Sequence, residues 1–207
     1  MGFSDSRNER SEENQGQNTW KDENLFIKAL SKGEEEAYRY LYKNYAPKIG
    51  ALVKSYLGSD DIDDVIQEVF LRIYKNIKKF RGESKLSTWI YRITVNVCNN
   101  VYKKLKSKGI ILDITESNES DEYTYQFPTE EDVKKNVTDE ILYEKLRKIL
   151  DTLNPEDRAL LFMKEIDGLT YEEIGNILKK PEGTVKSRLH YIKEKIRKAL
   201  EEVTRDE

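Results

Sequence analysis

The sequence predicts an all-α protein: two small helical domains joined by a flexible acidic linker. Three observations predict it. From Asn24 onward apolar residues recur at helical spacing, and no stretch alternates with period two for long enough to make a strand. The third is charge layout. From Arg72 to Lys108 the only acid is Glu83, and Lys179 to Lys198 carries only Glu182 and Glu194 as acids. Between these basic modules lies an acidic block that includes Asp113, Glu116, Glu119, Asp121, Glu122, Glu130, Glu131 and Asp132.

Residues 1–19 are rich in Ser, Asn, Glu and Arg with almost no large apolar residues, so nothing there offsets the entropy of ordering, and a disordered tail is expected. The first domain is expected over 20–106. It opens with "ENLFIKALSKGEEEAYRYLYKNYAPKIGALVKSYL", broken or bent near Gly33 and again near Pro47, since proline removes a donor and disfavours a helical residue before it. Ser59 or Asp60 starts "SDDIDDVIQEVFLRIYKNI", "KKFRGES" loops around Gly82, and Ser87 or Thr88 caps "TWIYRITVNVCNNVYKKLK". Residues 107–137 read as a linker, polar and interrupted by Pro128, with Tyr123, Tyr125 and Phe127 available for docking. The second domain, 138–207, holds "DEILYEKLRKILDTL", "NPEDRALLFMKEI", "TYEEIGNILKK" and "PEGTVKSRLHYIKEK".

A chain of 207 residues with 36% charged residues and a formal net charge of −3 carries no global basic balance that advertises nucleic acid. Cys98 is the only cysteine, so no intrachain disulfide can form, no cysteine cluster offers a metal site, and a reducing compartment is expected. Cys98 itself reads as a partly buried small residue and not as a redox sensor. No apolar run is long enough for a membrane span, and the N-terminus lacks the apolar centre of a signal peptide. A cytoplasmic protein without membrane insertion is the expectation.

Three helix faces point to chemistry. At 100° per residue, Val185, Leu189, Ile192, Ile196 and Leu200 form one apolar stripe of the last helix. Ser187 points away from it, with His190, Tyr191 and Glu194 around it and Lys186, Arg188 and Lys195 on the flanks. The preceding helix opens with Thr170 and Glu173 in capping-box spacing, and Gly175 lets the next helix approach across the short "KKPEG" turn. This is a helix-turn-helix, whose second helix can lie in the major groove. The lone histidine, His190, reads as an exposed residue with no proton-switch role.

In "DDIDDVIQEVFLRIYKNI", Ile62, Ile66, Val69, Phe70, Ile73 and Ile77 form the buried stripe, opposite Asp64, Gln67, Glu68 and Leu71. An exposed leucine beside carboxylates and an amide suits either a protein-docking surface or a solvated acidic face. The aspartates at 60, 61, 63 and 64 lack calcium-loop spacing, so no metal is expected. In the third helix Leu86, Trp89, Ile90, Ile93, Val97 and Val101 face the core. Tyr91, Val95 and Tyr102 lie opposite, with Thr88, Arg92, Asn99 and Lys103 nearby. Rings, amides and cations together are what unpaired nucleic acid requires, and the preceding loop adds Lys78, Lys79, Arg81 and Lys85.

The segments "DDVIQEVFLRIYKNI", "KFRGESKLSTWIYRITVNVCNN" and "LTYEEIGNILKKPEGTVKSRLHYIKEKIRKAL" resemble, in order and spacing, those of the extracytoplasmic-function (ECF) sigma factors of bacterial RNA polymerase. The resemblance implies a promoter-melting first domain, sigma region 2, and a second, sigma region 4, that reads the minus-thirty-five element. It implies partners: core RNA polymerase through its beta and beta-prime subunits, promoter DNA both duplex and single-stranded, and an anti-sigma factor. It implies no cofactor and no enzyme activity. By the same carry-over Asp61, Asp64, Gln67, Glu68 and Leu71 dock on polymerase. Phe80, Arg81, Lys85, Ser87, Thr88, Tyr91, Arg92, Asn96 and Asn99 take the minus-ten element, Asn96 from the edge of the core stripe. Lys186, Ser187, His190, Tyr191 and Lys195 face the minus-thirty-five groove, with Thr184 and Arg188 on phosphates. Two rivals stand beside this reading: a helix-turn-helix regulator acting without polymerase docking, and a metal-dependent nuclease using the aspartate cluster.

Overall fold

The computed structural model describes residues 20–59, 62–109 and 146–205, with side chains to Glu201. The tail, Asp60, Asp61 and the linker from 110 on, with Tyr123, Tyr125 and Phe127, lie outside the described residues. The helices are α1 (Glu23–Lys32), α2 (Glu35–Leu57), α3 (Asp63–Asn76), α4 (Leu86–Ser107), α5 (146–151), α6 (Pro155–Glu165), α7 (Tyr171–Leu178) and α8 (Glu182–Arg205). A short 3-10 turn, Ile77–Lys79, follows α3, and no strand occurs among the described residues.

Asp22 caps α1, its carboxylate accepting from the N–H groups of Asn24 (2.9 Å) and Leu25 (3.3 Å). Gly33, at φ 81°, ends the helix in the left-handed conformation that favours glycine. Of the break or bend expected at Pro47, the break does not occur: α2 runs through the proline. An interior proline costs about 3 kcal/mol. Leu41, Ile49, Leu52 and Val53, all fully buried on either side of it, each contribute roughly 1.5–3 kcal/mol, so packing outweighs the lost hydrogen bond.

The start of α4 also differs from expectation. Ser87 and Thr88 sit inside the helix, which begins at Leu86 without a side-chain cap from its N-cap residue. The Leu86 N–H donates instead to the Glu23 carboxylate of α1 at 3.2 Å. The cap is supplied across the fold, and it ties α1 to the loop that precedes α4. In the second module the local signals hold. Asn154 caps α6 with Pro155 in the first turn, and Thr170 with Glu173 forms the capping box of α7.

The two modules pack together, α2 against α6 and α4 against α7. The Ser55 hydroxyl donates to the Arg158 carbonyl (3.1 Å), and the Arg158 guanidinium donates to the Tyr56 carbonyl (3.2 Å). The same guanidinium passes Gly58, where an added Cβ would lie 3.4 Å from it, at ordinary contact distance. Cys98 is fully buried, deeper than the sequence suggests, and burial pushes its thiol up to about 12.

Candidate nucleic-acid and polymerase interfaces

The outer face of α3 carries Asp64 and Gln67 exposed, with Leu71 at 51% exposure. Glu68 is half-buried and accepts from Arg72 Nε at 2.6 Å; Asp61 is outside the described residues. Sequence reasoning missed two neighbours of this face. Tyr74 and Tyr42 are both exposed, their rings packed on Tyr38 (5.3 Å) and Phe70 (5.0 Å) respectively. Tyr74 stands three residues past Leu71, a spacing that puts both on one side of the helix; Tyr42 comes from α2 and no local pattern reveals it. The result is an apolar and aromatic patch rimmed by acids.

The α4 face requires a correction. Tyr91 was expected to stand opposite the core, open to unpaired nucleic acid; it is 4% exposed, and Thr88 and Val95 are buried with it. Its hydroxyl donates to Asp167 Oδ2 at 2.7 Å, and burial, then this hydrogen bond, raise its phenol pKa. Burial also raises the Asp167 carboxyl, while the Tyr91 bond and Lys48 draw it back. The physical reason is that α4 has two packed faces, one toward its own core and one toward α7. Asn99 accepts from the Tyr56 hydroxyl at 2.6 Å. Asn96, placed by sequence at the edge of the core stripe, is exposed, as is Arg81, whereas Ser87 and Arg92 are half-buried. Phe80 packs on Trp89 with ring centroids 5.2 Å apart.

Lys85 is exposed but reaches across to Glu173 Oε1 at 2.8 Å. The Lys85 hydrogen bond, with those from the Thr170 N–H (2.9 Å) and hydroxyl (3.0 Å), holds the Glu173 carboxyl at about 2, below its ordinary 4.5. A depressed carboxylate contributes stability that is complete above its unfolded value and is lost as pH falls through the folded one. Glu173→Gln is therefore expected to lower the melting temperature near neutral pH, and the gap from the wild type to close as pH falls from 4.5 toward 2. Thermal melts across that window check it.

The helix-turn-helix is built as its sequence suggests. A Cβ on Gly175 would lie 2.7 Å from the Lys180 carbonyl oxygen, so only glycine admits the turn at this distance. Val185, Leu189 and Ile192 are buried, Ile196 and Leu200 half-buried, and Thr184, Lys186, Ser187, Arg188, His190, Tyr191 and Lys195 are exposed. Lys186 pairs with Glu182 at 2.6 Å and lies over the Tyr171 ring, which Lys164 also approaches. The Ser187 hydroxyl donates to the Thr184 carbonyl (3.1 Å) and Lys195 Nζ to the Thr152 carbonyl (3.3 Å). Arg188 is gripped by Asp157, a partner that sequence spacing does not reveal.

Among the described residues no group of His, Cys, Asp or Glu could hold a metal ion, and no helix is long and apolar enough to cross a membrane.

Comparison with known proteins places the chain in a family. Residues 41–108 match Sigma-70 region 2 and residues 143–202 match Sigma-70, region 4. The chain is 31% identical to the ECF RNA polymerase sigma-E factor of Haemophilus influenzae, covering 84% of this chain and 93% of that protein. It is 32% identical to the Escherichia coli K12 protein of the same name, covering 83% and 91%. In fold it resembles CnrH in its complex with the cytosolic domain of CnrY (TM-score 0.59, 16% identity, 86% of this chain and 96% of that one). It resembles equally the sigma factor RpoE of Bartonella quintana in complex with the anti-sigma factor NepR (0.59, 18%, 79% and 96%). With both regions present in order and a third of its residues shared along most of its length, the chain belongs to the sigma-70 family, in the ECF group of RNA polymerase sigma factors.

Proposed function

We propose that this alternative sigma factor binds core RNA polymerase, reads the minus-ten and minus-thirty-five elements of its promoters, and promotes strand opening. The observation that carries the reading is that one chain holds both an exposed apolar patch rimmed by acids on α3 and a helix-turn-helix with its donors exposed on α8. A regulator that only bound duplex DNA would have no use for the first. Asp64, Gln67, Glu68 and Leu71, with Asp61, are the docking residues for the beta-prime subunit, and the second module meets beta.

Residues 20–106 form the polymerase and minus-ten domain, 107–137 the connector and 138–207 the upstream domain. In the first, Phe80, Arg81, Lys85, Ser87, Thr88, Tyr91, Arg92, Asn96 and Asn99 hold the opened strand. Stacking and hydrogen bonds to an extruded base offset its unstacking, which costs a few kcal/mol. Because Tyr91 is covered by the second module, the modules part before that strand is taken. In the second, Lys186, Ser187, His190, Tyr191 and Lys195 face the groove, with Thr184 and Arg188 toward phosphates. The chain catalyses nothing itself; the polymerase does the chemistry, in the cytoplasm. An anti-sigma factor is its regulatory partner.

Runoff transcription with purified core polymerase on templates from the protein's own genome tests this. The expected result is a promoter-specific transcript that depends on added protein. Asp64→Ala is expected to weaken core binding by roughly tenfold, the scale of one charged rim contact of about 1.4 kcal/mol. No transcript from any template, together with unchanged core binding by that variant, sinks the proposal.

A further inference from the structure

Asp157 lies on α6, outside the helix-turn-helix, yet its side chain is aimed at the recognition helix. Arg188 Nε donates to Oδ1 at 2.7 Å and Arg188 Nη2 to Oδ2 at 2.8 Å, a fork-to-fork pair. Asp157 is 5% exposed. It is fixed from the other side by the Asn154 side chain, whose Nδ2 donates to Oδ2 at 2.8 Å and whose Oδ1 accepts from the Asp157 N–H at 2.9 Å. Arg188 in turn lies over the Tyr191 ring, 5.6 Å from its centroid. The cap of α6, the carboxylate, the guanidinium and an exposed aromatic ring thus form one chain of contacts ending on the surface of α8.

We infer that Asp157 is a positioning residue for upstream-element recognition, converting Arg188 from a mobile charge into a fixed donor and holding Tyr191 beside it. The inference rests on the sigma-factor reading above. A guanidinium carries five N–H groups; Asp157 engages Nε and Nη2, and the side chain remains 46% exposed, so the unengaged N–H groups stay available to DNA in a set orientation. The buried carboxylate also cancels most of the positive charge. A free arginine on a phosphate releases counterions and steepens salt dependence by about 0.9 per contact. Arg188 paired with Asp157 contributes less than that to sequence-independent affinity and proportionally more to register.

The test uses the full chain with core polymerase and a duplex that the wild-type holoenzyme itself enriches from a pool randomised over the upstream element. Its affinity is compared with that for a scrambled duplex across a salt series. Asp157→Ala is expected to cut the ratio of selected to scrambled affinity by about tenfold, the scale of one lost directional base or phosphate contact. It is expected at the same time to steepen the salt slope on the scrambled duplex by up to about 0.9, which loss of structure alone would not do. In an Arg188→Ala background, Asp157→Ala should change neither quantity, and Asp157→Glu should restore part of the ratio. An unchanged ratio in Asp157→Ala, or an equal loss with and without Arg188, overturns the inference while leaving the sigma-factor reading intact. Failure of the wild-type holoenzyme to enrich any sequence overturns that reading instead.

Discussion

Gly175→Ala is expected to lower the melting temperature of the chain and to remove most upstream DNA affinity, whereas Gly183→Ala, eight positions on, leaves both intact. The alanine Cβ at 175 would stand 2.7 Å from the Lys180 carbonyl oxygen, a backbone atom with no rotamer to yield. The same turn is held by the Lys180 N–H donating to the Gly175 carbonyl at 2.9 Å and by Lys179 in the left-handed conformation at φ 56°. Relief therefore needs the turn to move, and α8 moves with it. Overpacking of this kind costs about 1–3 kcal/mol; the helix-propensity gain of alanine over glycine returns about 0.8–1, so collision wins in most of that range. At Gly183 nothing lies within 4 Å, leaving only the propensity gain. Thermal melts and upstream-duplex binding of the two variants, side by side, check the contrast. Equal melting temperatures would show that the close approach is not under strain when filled.

That contrast was legible in the sequence because it is local: a capping box, a glycine and a short turn occupy a few consecutive residues, and the stripe from Val185 to Leu200 orients α8 without outside help. The outer face of α3 was legible for the same reason. What escaped was set by residues distant along the chain. Leu86 takes its cap from Glu23, 63 positions away, so no search of the preceding residues finds it. Tyr91 is covered through Asp167, 76 positions away. A helical wheel separates a helix's own core from everything else, and a second packed face looks the same as an exposed one until the other module is in place. Arg188 was recognisable as a surface cation, but the carboxylate that orients it stands 31 positions earlier on another helix. Pro47 shows the converse limit: the local rule was sound, and burial on both sides overrode it.

The closed arrangement carries the second large expectation. Free of polymerase, the chain should bind a single-stranded nontemplate minus-ten oligonucleotide weakly, and the pair Ser55→Ala with Asp167→Ala should strengthen that binding by roughly 10- to 30-fold. Neither residue belongs to the strand-holding set; both act between modules, Ser55 donating to the Arg158 carbonyl and Asp167 accepting from Tyr91. Each such hydrogen bond contributes about 1 kcal/mol net, so losing both shifts the closed-to-open equilibrium by about 2 kcal/mol, near 30-fold. Apparent affinity scales with the open fraction until that fraction saturates, which sets the lower figure. Removing Asp167 also leaves the Tyr91 hydroxyl buried without that acceptor in the closed form alone, adding to the bias. Small-angle scattering should show the variant expanded relative to the wild type. If the modules part on polymerase, as proposed above, the variant should transcribe as the wild type does. An oligonucleotide affinity unchanged by the double substitution, with the chain still compact, would mean that the α4 face is closed by apolar packing between α4 and α7 and that these polar contacts only decorate it.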